Sequence, residues 1–287
     1  MSAKHKNIIK KLILAIMIGL AVASCTERFE VELDESYTRL VVDGQITDDG
    51  STRHSVTLSK TTSYFYNQPP PPVTNASVTV TDDEGVVSTL SEEEPGVYFL
   101  PDGFMAEIGR RYTLDILLDE EIDGKKRYTA TSGTPNINDT VYIGLEYQPD
   151  WGDEGYVIVT CYYWDTPEAN WYMFNIYKND TLLTDTLTNK QVVDDRFYNG
   201  SFTNGIGVGY LNQSKKREKV RPGDVITFQA CSITEEYANF IWAVQEEVGF
   251  STPLFSGPPA NVNGNVSGGA VGYFASYPVL YATTVAE

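Results

Sequence analysis

Residues 112–118, Tyr-Thr-Leu-Asp-Ile-Leu-Leu, decide how the chain is read. Tyr112, Leu114, Ile116 and Leu118 fall on every second position, with Thr113 and Asp115 between them. Successive side chains of a strand point to opposite faces, so this spacing predicts a strand with one buried face. The same period recurs where Val56 and Leu58 alternate with Ser55, Thr57 and Ser59. It recurs again where Ala76, Val78 and Val80 alternate with Ser77, Thr79 and Thr81. Asp43-Gly44, Asp49-Gly50, Glu84-Gly85 and Asp123-Gly124 are pairs that favour tight turns. About seven short strands spaced in this way between Arg39 and Thr131 predict an immunoglobulin-like or transthyretin-like sandwich over residues 38–134. Pro135 and its neighbours, from Gly133 to Asn138, read as a linker.

Residues 135–287 read as a second β-rich domain. Strands are predicted at 139–147, 156–164, 171–178, 181–188, 205–211, 224–231 and 278–285, with Asn179-Asp180 closing a hairpin. One segment departs from period two. Tyr237, Phe240, Ile241, Val244 and Val248 follow helical spacing, predicting an amphipathic helix near 235–248 laid against the second sheet. Ser232 with Glu235 suits a capping box, and Gly249 stands where a C-terminal cap belongs. Residues 256–272 are rich in Gly, Pro and Asn and read as loop. The expected fold class is therefore all-β: two sandwich-like domains, the second carrying one helix.

The N-terminus has a different character. Lys4, Lys6, Lys10 and Lys11 precede an apolar run from Leu12 to Ala23, too short to span a bilayer comfortably. The run ends in Val22-Ala23-Ser24-Cys25, which resembles a lipobox. The expectation is an export signal over 1–24, with Cys25 as the lipidated first residue, bearing diacylglycerol and an acyl chain. Two or more chains anchor stably at about 0.8 kcal/mol per buried CH₂. Removing 1–24 takes away four lysines and no acid, so the formal charge of −18 becomes −22. Such acidity argues against nucleic acid as a partner, because a phosphate backbone demands a basic face. Glu27, Glu30, Glu32, Asp34 and Glu35 make residues 25–37 an acidic tether.

Catalytic patterns are sparse. His54 is the one histidine after Cys25, and it reads as a surface residue on the polar side of a strand. No Gly-x-Ser-x-Gly elbow accompanies a serine. Zinc lacks ligands, and the aspartate-rich turns lack an EF-hand pattern. No cofactor or metal is expected. Carboxylate pairs such as Asp48/Asp49 and Asp194/Asp195 read as solvated turns. Cys161 and Cys231 lie in apolar strand-like stretches, compatible with a disulfide in an exported protein or with two buried thiols. The aromatics are more informative. Tyr64, Phe65 and Tyr66 are consecutive beside Pro69 to Pro72, and consecutive residues of one strand cannot all face a core. Together with Trp151, they are the candidate ligand or partner contacts. Trp164 and Trp171 read as core.

Three segments carry a resemblance: residues 40–46 (Leu-Val-Val-Asp-Gly-Gln-Ile) followed by 56–59; residues 75–80 leading to Asp83-Glu84-Gly85; and Asn265-Val266-Ser267-Gly268-Gly269 with Gly272 and Phe274. In this order they resemble a Bacteroidota family of outer-membrane lipoproteins catalogued as a domain of unknown function, family 4249. In such lipoproteins an acidic stretch after the lipidated cysteine resembles the tag for the outer face of the outer membrane. The resemblance implies neighbouring TonB-dependent transporters and no known catalytic residues. The resulting expectation is a non-enzymatic accessory or substrate-capture subunit of such a transporter, on the cell surface. The alternatives are a free-standing module binding oligosaccharide or peptide through exposed aromatics, and a hydrolase with an unrecognised carboxylate site.

Overall fold

Leu40, Val42 and Ile46 are almost wholly buried while Asp43 is exposed, so the opening strand alternates as an amphipathic strand must. The computed structural model describes residues 38–62, 68–137, 140–249 and 262–287. Residues 1–37, with Cys25, and residues 64–66 lie outside the described residues. The strands in chain order are β1 (Leu40–Thr47), β2 (Ser55–Lys60), β3 (Ser77–Asp82), β4 (Val87–Thr89), β5 (Ser91–Glu94), β6 (Val97–Phe99), β7 (Arg111–Ile122), β8 (Lys125–Gly133) and β9 (Tyr142–Gln148). They continue as β10 (Tyr156–Tyr162), β11 (Trp171–Lys178), β12 (Thr181–Leu182), β13 (Gln191–Asp194), β14 (Ile206–Asn212), β15 (Val225–Ile233), β16 (Val271–Tyr277) and β17 (Val279–Val285). Helix α1 spans Glu235–Gly249. Among the described residues the structure shows the expected all-β class with one α-helix.

Four sheets form, in the orders β4-β3-β7-β8, β16-β1-β2-β6-β5, β12-β11-β15-β17 with β13 also on β11, and β14-β10-β9. Side-chain alternation stacks them in that sequence. Val78, Val80, Leu114, Ile116 and Tyr128 of the first sheet share one core with Val42, Ile46, Val56, Leu58 and Phe274 of the second. Tyr172, Phe174, Ile176, Ile226 and Phe228 of the third share another with Val157, Val159, Cys161 and Val208 of the fourth. The second and third sheets face each other across a middle layer. One half of that layer is apolar, where Tyr237 and Ile241 of α1 meet Met173, Cys231, Tyr273 and Tyr277. The other half is polar and holds a cleft.

The expected division at 134/135 is crossed by the chain. β16 pairs in parallel with β1, from Val41↔Val271 to Thr47↔Tyr277, so the first sandwich takes a strand from the far end of the sequence. Tyr37–Glu287 forms one compact unit. Gly272 makes the pairing possible: its φ is +98°, and a Cβ there would sit 2.0 Å from the Val42 carbonyl oxygen. β16 is not predicted from the sequence, because its first residues sit in a Gly/Asn-rich stretch. β13 lies between polar residues and has no alternation to betray it.

The turns divide in two. Asp123-Gly124, at φ +51° and +69°, and Asn179-Asp180, at +48° and +62°, close two-residue hairpins as expected. Asp43-Gly44 is no turn. It lies inside β1, where Gly44 leaves room for Val56 and Phe274. The proline run does meet the sheet at its end, since Lys60 N–H donates to the Pro71 carbonyl and Val73 N–H to Leu58. Prolines 69–71 need supply no N–H on that edge.

α1 begins as expected, but its cap is Thr234. The Thr234 Oγ1 accepts from Tyr237 N–H at 3.2 Å, whereas the Ser232 Oγ is buried without a partner. Gly249 is the last helical residue. No helix of the described residues is long and apolar enough to cross a membrane.

Candidate functional site

Among the described residues, the outward face of the sheet β14-β10-β9 carries a dense group of aromatic rings. Val157, Val159 and Cys161 point into the core, so Tyr156, Ile158, Thr160 and Tyr162 point out. Tyr210 stands opposite Ile158, and Tyr142 opposite Tyr162. The turn after β9 folds Trp151 back over this face. Its ring stacks on Tyr210 at 6.3 Å with 19° between planes, and meets Tyr156 edge-on at 6.4 Å. Trp151 and Tyr210 remain 46% and 47% exposed. Thr160 has glycine on both neighbouring strands, Gly144 and Gly207. A Cβ at Gly207 would collide with the Tyr210 hydroxyl at 2.5 Å, so glycine lets that ring lie flat across the strand. Ile158 and Thr160 are nonetheless buried, so the face presents rings rather than an open floor, with Trp151, Tyr156 and Tyr210 toward one end and Tyr142 and Tyr162 toward the other. Such rings offer apolar faces and hydroxyl edges together.

Trp151 is thus exposed, as expected of a contact residue, in company the sequence did not disclose. From the sequence alone, Tyr142, Tyr156, Tyr162 and Tyr210 are simply parts of predicted strands. Period-two alternation within β10 would have found Tyr156 and Tyr162. Tyr210 escapes because a bulge shifts the β10–β14 register between Val159 and Thr160. Trp164, expected in the core, is 71% exposed and leans on Phe202 at 5.4 Å. Trp171 is half-buried and packs beside the helix.

Cys161 and Cys231 are free and buried. No disulfide joins them, because they lie in different cores. Phe228 of β15 faces the Cys161 core, whereas Cys231, three residues on, faces α1 from the other side of the same sheet. Burial pushes both thiols up to about 12.

His54 is buried, contrary to expectation. Its ring packs edge-on to Phe104 at 5.9 Å, its Nε2 has no partner among the described residues, and burial lowers its pKa. The tight turn Asp49–Thr52 carries the chain inward just before β2. Asp165 and Asp195 are also buried. Asp165 accepts from the Tyr172 hydroxyl at 2.8 Å and from Gly200 N–H, while Asp195 accepts from Asn170 N–H. Burial, reinforced by the Asp195 charge, raises the Asp165 pKa. Their hydrogen bonds fasten the loops 163–170 and 195–203 to each other.

Two cavities lie among the described residues, both with charged side chains in their linings. An open one of about 810 Å³ lies between β9 and β17, lined by Leu145, Tyr147, Lys219, Arg221 and Val285. The cleft in the middle layer is about 280 Å³. From its far wall, at Lys190, Asn175 and Gln229, a chain of hydrogen bonds leads away to Tyr281 and Asp49. Lys190 Nζ donates to Asn175 Oδ1 at 2.7 Å, and Asn175 Nδ2 to Gln229 Oε1 at 2.7 Å. Gln229 Nε2 then donates to the Tyr281 hydroxyl at 2.7 Å, and Tyr281 to Asp49 Oδ2 at 2.9 Å. Burial alone would raise the Asp49 pKa, but donors from Ser51, Thr52 and Tyr281 hold it at about 2. Among the described residues no group of three or more His, Cys, Asp or Glu is placed to hold a metal ion.

A crystal structure of a DUF4785 family protein from Legionella pneumophila is 10% identical to the chain, covers 67% of it and 52% of that protein, and has a TM-score of 0.23. The match thus spans about half of that protein's length, and at this score it carries no argument. No curated protein matches. A family model does match, over residues 26–281, which include all three sequence segments singled out above: the chain belongs to the family described as Domain of unknown function (DUF4249).

Proposed function

We propose that this chain is a lipid-anchored, surface-exposed outer-membrane protein without enzymatic activity, acting as an accessory or substrate-capture subunit of a TonB-dependent transporter. The observation that carries the reading is the aromatic face around Trp151 and Tyr210, a contact surface presented on a rigid sheet. The lipobox at Cys25, the acidic tether and the family resemblance support this location. Asp165 and Asp195, which converge as a hydrolase pair would, spend their lone pairs on loop hydrogen bonds beneath the surface, which favours a structural role.

The test is affinity purification of the tagged chain from outer membranes in mild detergent, with partners identified by mass spectrometry. Wild type should bring down a TonB-dependent barrel in near-stoichiometric amount, and the W151A/Y210A double variant should lose it. Recovery of the chain alone, with glycan or peptide binding that depends on Trp151, would favour the free-standing module.

A further inference from the structure

The aromatic face leaves the middle cleft unexplained. This cleft lies between the outward face of β1–β2 and the facing side of β11–β15, and it presents two opposite charges. On one wall is Asp43. Its carboxylate makes no hydrogen bond or ion pair with the described residues, although it borders the cleft. On the other is Lys190, half-buried, with one acceptor for its three N–H donors, Asn175 Oδ1 at 2.7 Å. The two attract each other electrostatically, yet no ion pair within 4 Å forms between them. Lys190 is held in place from behind. Gln245 of α1 donates to its backbone carbonyl at 2.8 Å, and the Asn175 that receives its side chain is itself fixed by Thr184 and Gln229.

A partly buried ammonium with donors to spare is costly unless an anion completes its shell. Arg53, also at the cleft, is already bound to Glu93 and Asp102, so Lys190 is the cation left to receive one. Gln45, Thr57, Tyr177, Gln229 and Tyr277, all uncharged, form much of the remaining wall, with the buried His54 beside them. At about 280 Å³ the cleft is the size of a small molecule.

From this arrangement we infer that the cleft is a binding site for a small zwitterion, an amino acid or very short peptide, whose carboxylate meets Lys190 and whose ammonium meets Asp43. The site shares no residue with the Trp151 face, so each stands or falls alone.

Calorimetric titration and thermal-shift assays on the detergent-solubilised full chain test this. The probes are the twenty common amino acids and dialanine, with N-acetylalanine and alanine amide as analogues lacking one charge, and glucose as a neutral polar control. At least one zwitterion should bind and raise the melting temperature. Deleting either charge from that ligand should weaken binding about tenfold or more, as expected for a charge-assisted hydrogen bond. The variants K190M and D43N should each lose the zwitterion preference. Asp43 is exposed and unbonded, so D43N should fold normally and remain readable if K190M does not. The inference is overturned if no zwitterion binds, if single-charge analogues or glucose bind equally well, or if D43N binds like wild type. A missing barrel in the co-purification, with zwitterion binding intact, would count against the transporter reading alone.

Discussion

The side chain of Asn265 pairs with the backbone of Phe274 in both directions: Phe274 N–H donates to Asn265 Oδ1 at 2.9 Å, and Asn265 Nδ2 donates to the Phe274 carbonyl at 2.7 Å. The same Nδ2 reaches Thr131 of β8 at 3.0 Å, and Ser267 bonds Thr129 beside it. One amide thus ties β16, in one sheet of the first sandwich, to β8 in the other, while Phe274 fills their shared core. Asn265→Ala should cost about 1–3 kcal/mol, the price of leaving these backbone groups unmet. Asn265→Asp should not rescue it, since the carboxylate keeps the acceptor and loses the donor. Urea unfolding of both variants checks this; a loss under about 0.5 kcal/mol would mean that β16 is held by other contacts.

Gly272→Ala should be worse than an ordinary strand substitution. The added methyl meets a backbone carbonyl that cannot move without breaking the β1–β16 ladder, and the left-handed φ adds strain. Soluble yield and melting temperature should both fall well below those of Gly85→Ala, where φ is also positive but the space is open. Equal losses in the two variants would show that backbone strain alone matters and that the close approach does not.

Two buried groups should bend the pH profile of stability in opposite directions. His54 has a folded pKa below its unfolded value of about 6.5. The unfolded chain therefore takes up the proton first, and stability falls as pH drops below about 6.5. Asp165 has a folded pKa above the ordinary aspartate value of 3.8, so its contribution is present below that value and is lost as pH rises through the folded pKa. His54→Gln should flatten the first slope and Asp165→Asn the second. Melting temperatures between pH 3.5 and 8 read both; a slope unchanged in its variant assigns the effect elsewhere.

The thiols of Cys161 and Cys231, pushed up to about 12, should not react with Ellman's reagent at pH 8 while the chain is folded. With Cys25 replaced by Ser, denaturation without reductant should release two equivalents. Release of none would mean that the two are bonded.

Trp151 and Tyr210 hold little of the fold. Their stacking is worth about 0.5–1.5 kcal/mol, and both rings are nearly half exposed. The W151A/Y210A variant should therefore fold with a modest loss of stability, so that any missing partner reflects the surface and not unfolding. Tryptophan fluorescence should report whether ligand covers this face.

Local order was legible in the sequence where one face of an element is buried and its neighbours are close in the chain. The β7–β8 hairpin follows from Tyr112 to Leu118 and from Asp123-Gly124. Helix α1 follows from Tyr237 to Val248, though its cap is Thr234 because Ser232 is still in β15. The parallel β1–β16 pairing joins residues some 230 apart, and alternation in either strand is silent about its partner. Asp43-Gly44 misled for a related reason. The pair suits a turn in isolation, but Gly44 is there to admit Val56 and Phe274. The aromatic face was visible only through Trp151, since its other rings come from three strands whose order no local pattern discloses. Lys190 and Asp43 carry no motif at all; the stacking of two sheets brings them to one cleft.

The central claim, that the Trp151 face docks on a transporter, is tested most directly by replacing Tyr210 with a photo-crosslinking phenylalanine analogue in living cells. Irradiation should yield one dominant adduct, containing a TonB-dependent barrel and absent when the analogue is placed at Tyr147, which lines the separate cavity between β9 and β17. Irradiation that yields no barrel adduct from position 210, while the chain remains folded and on the cell surface, would contradict the claim.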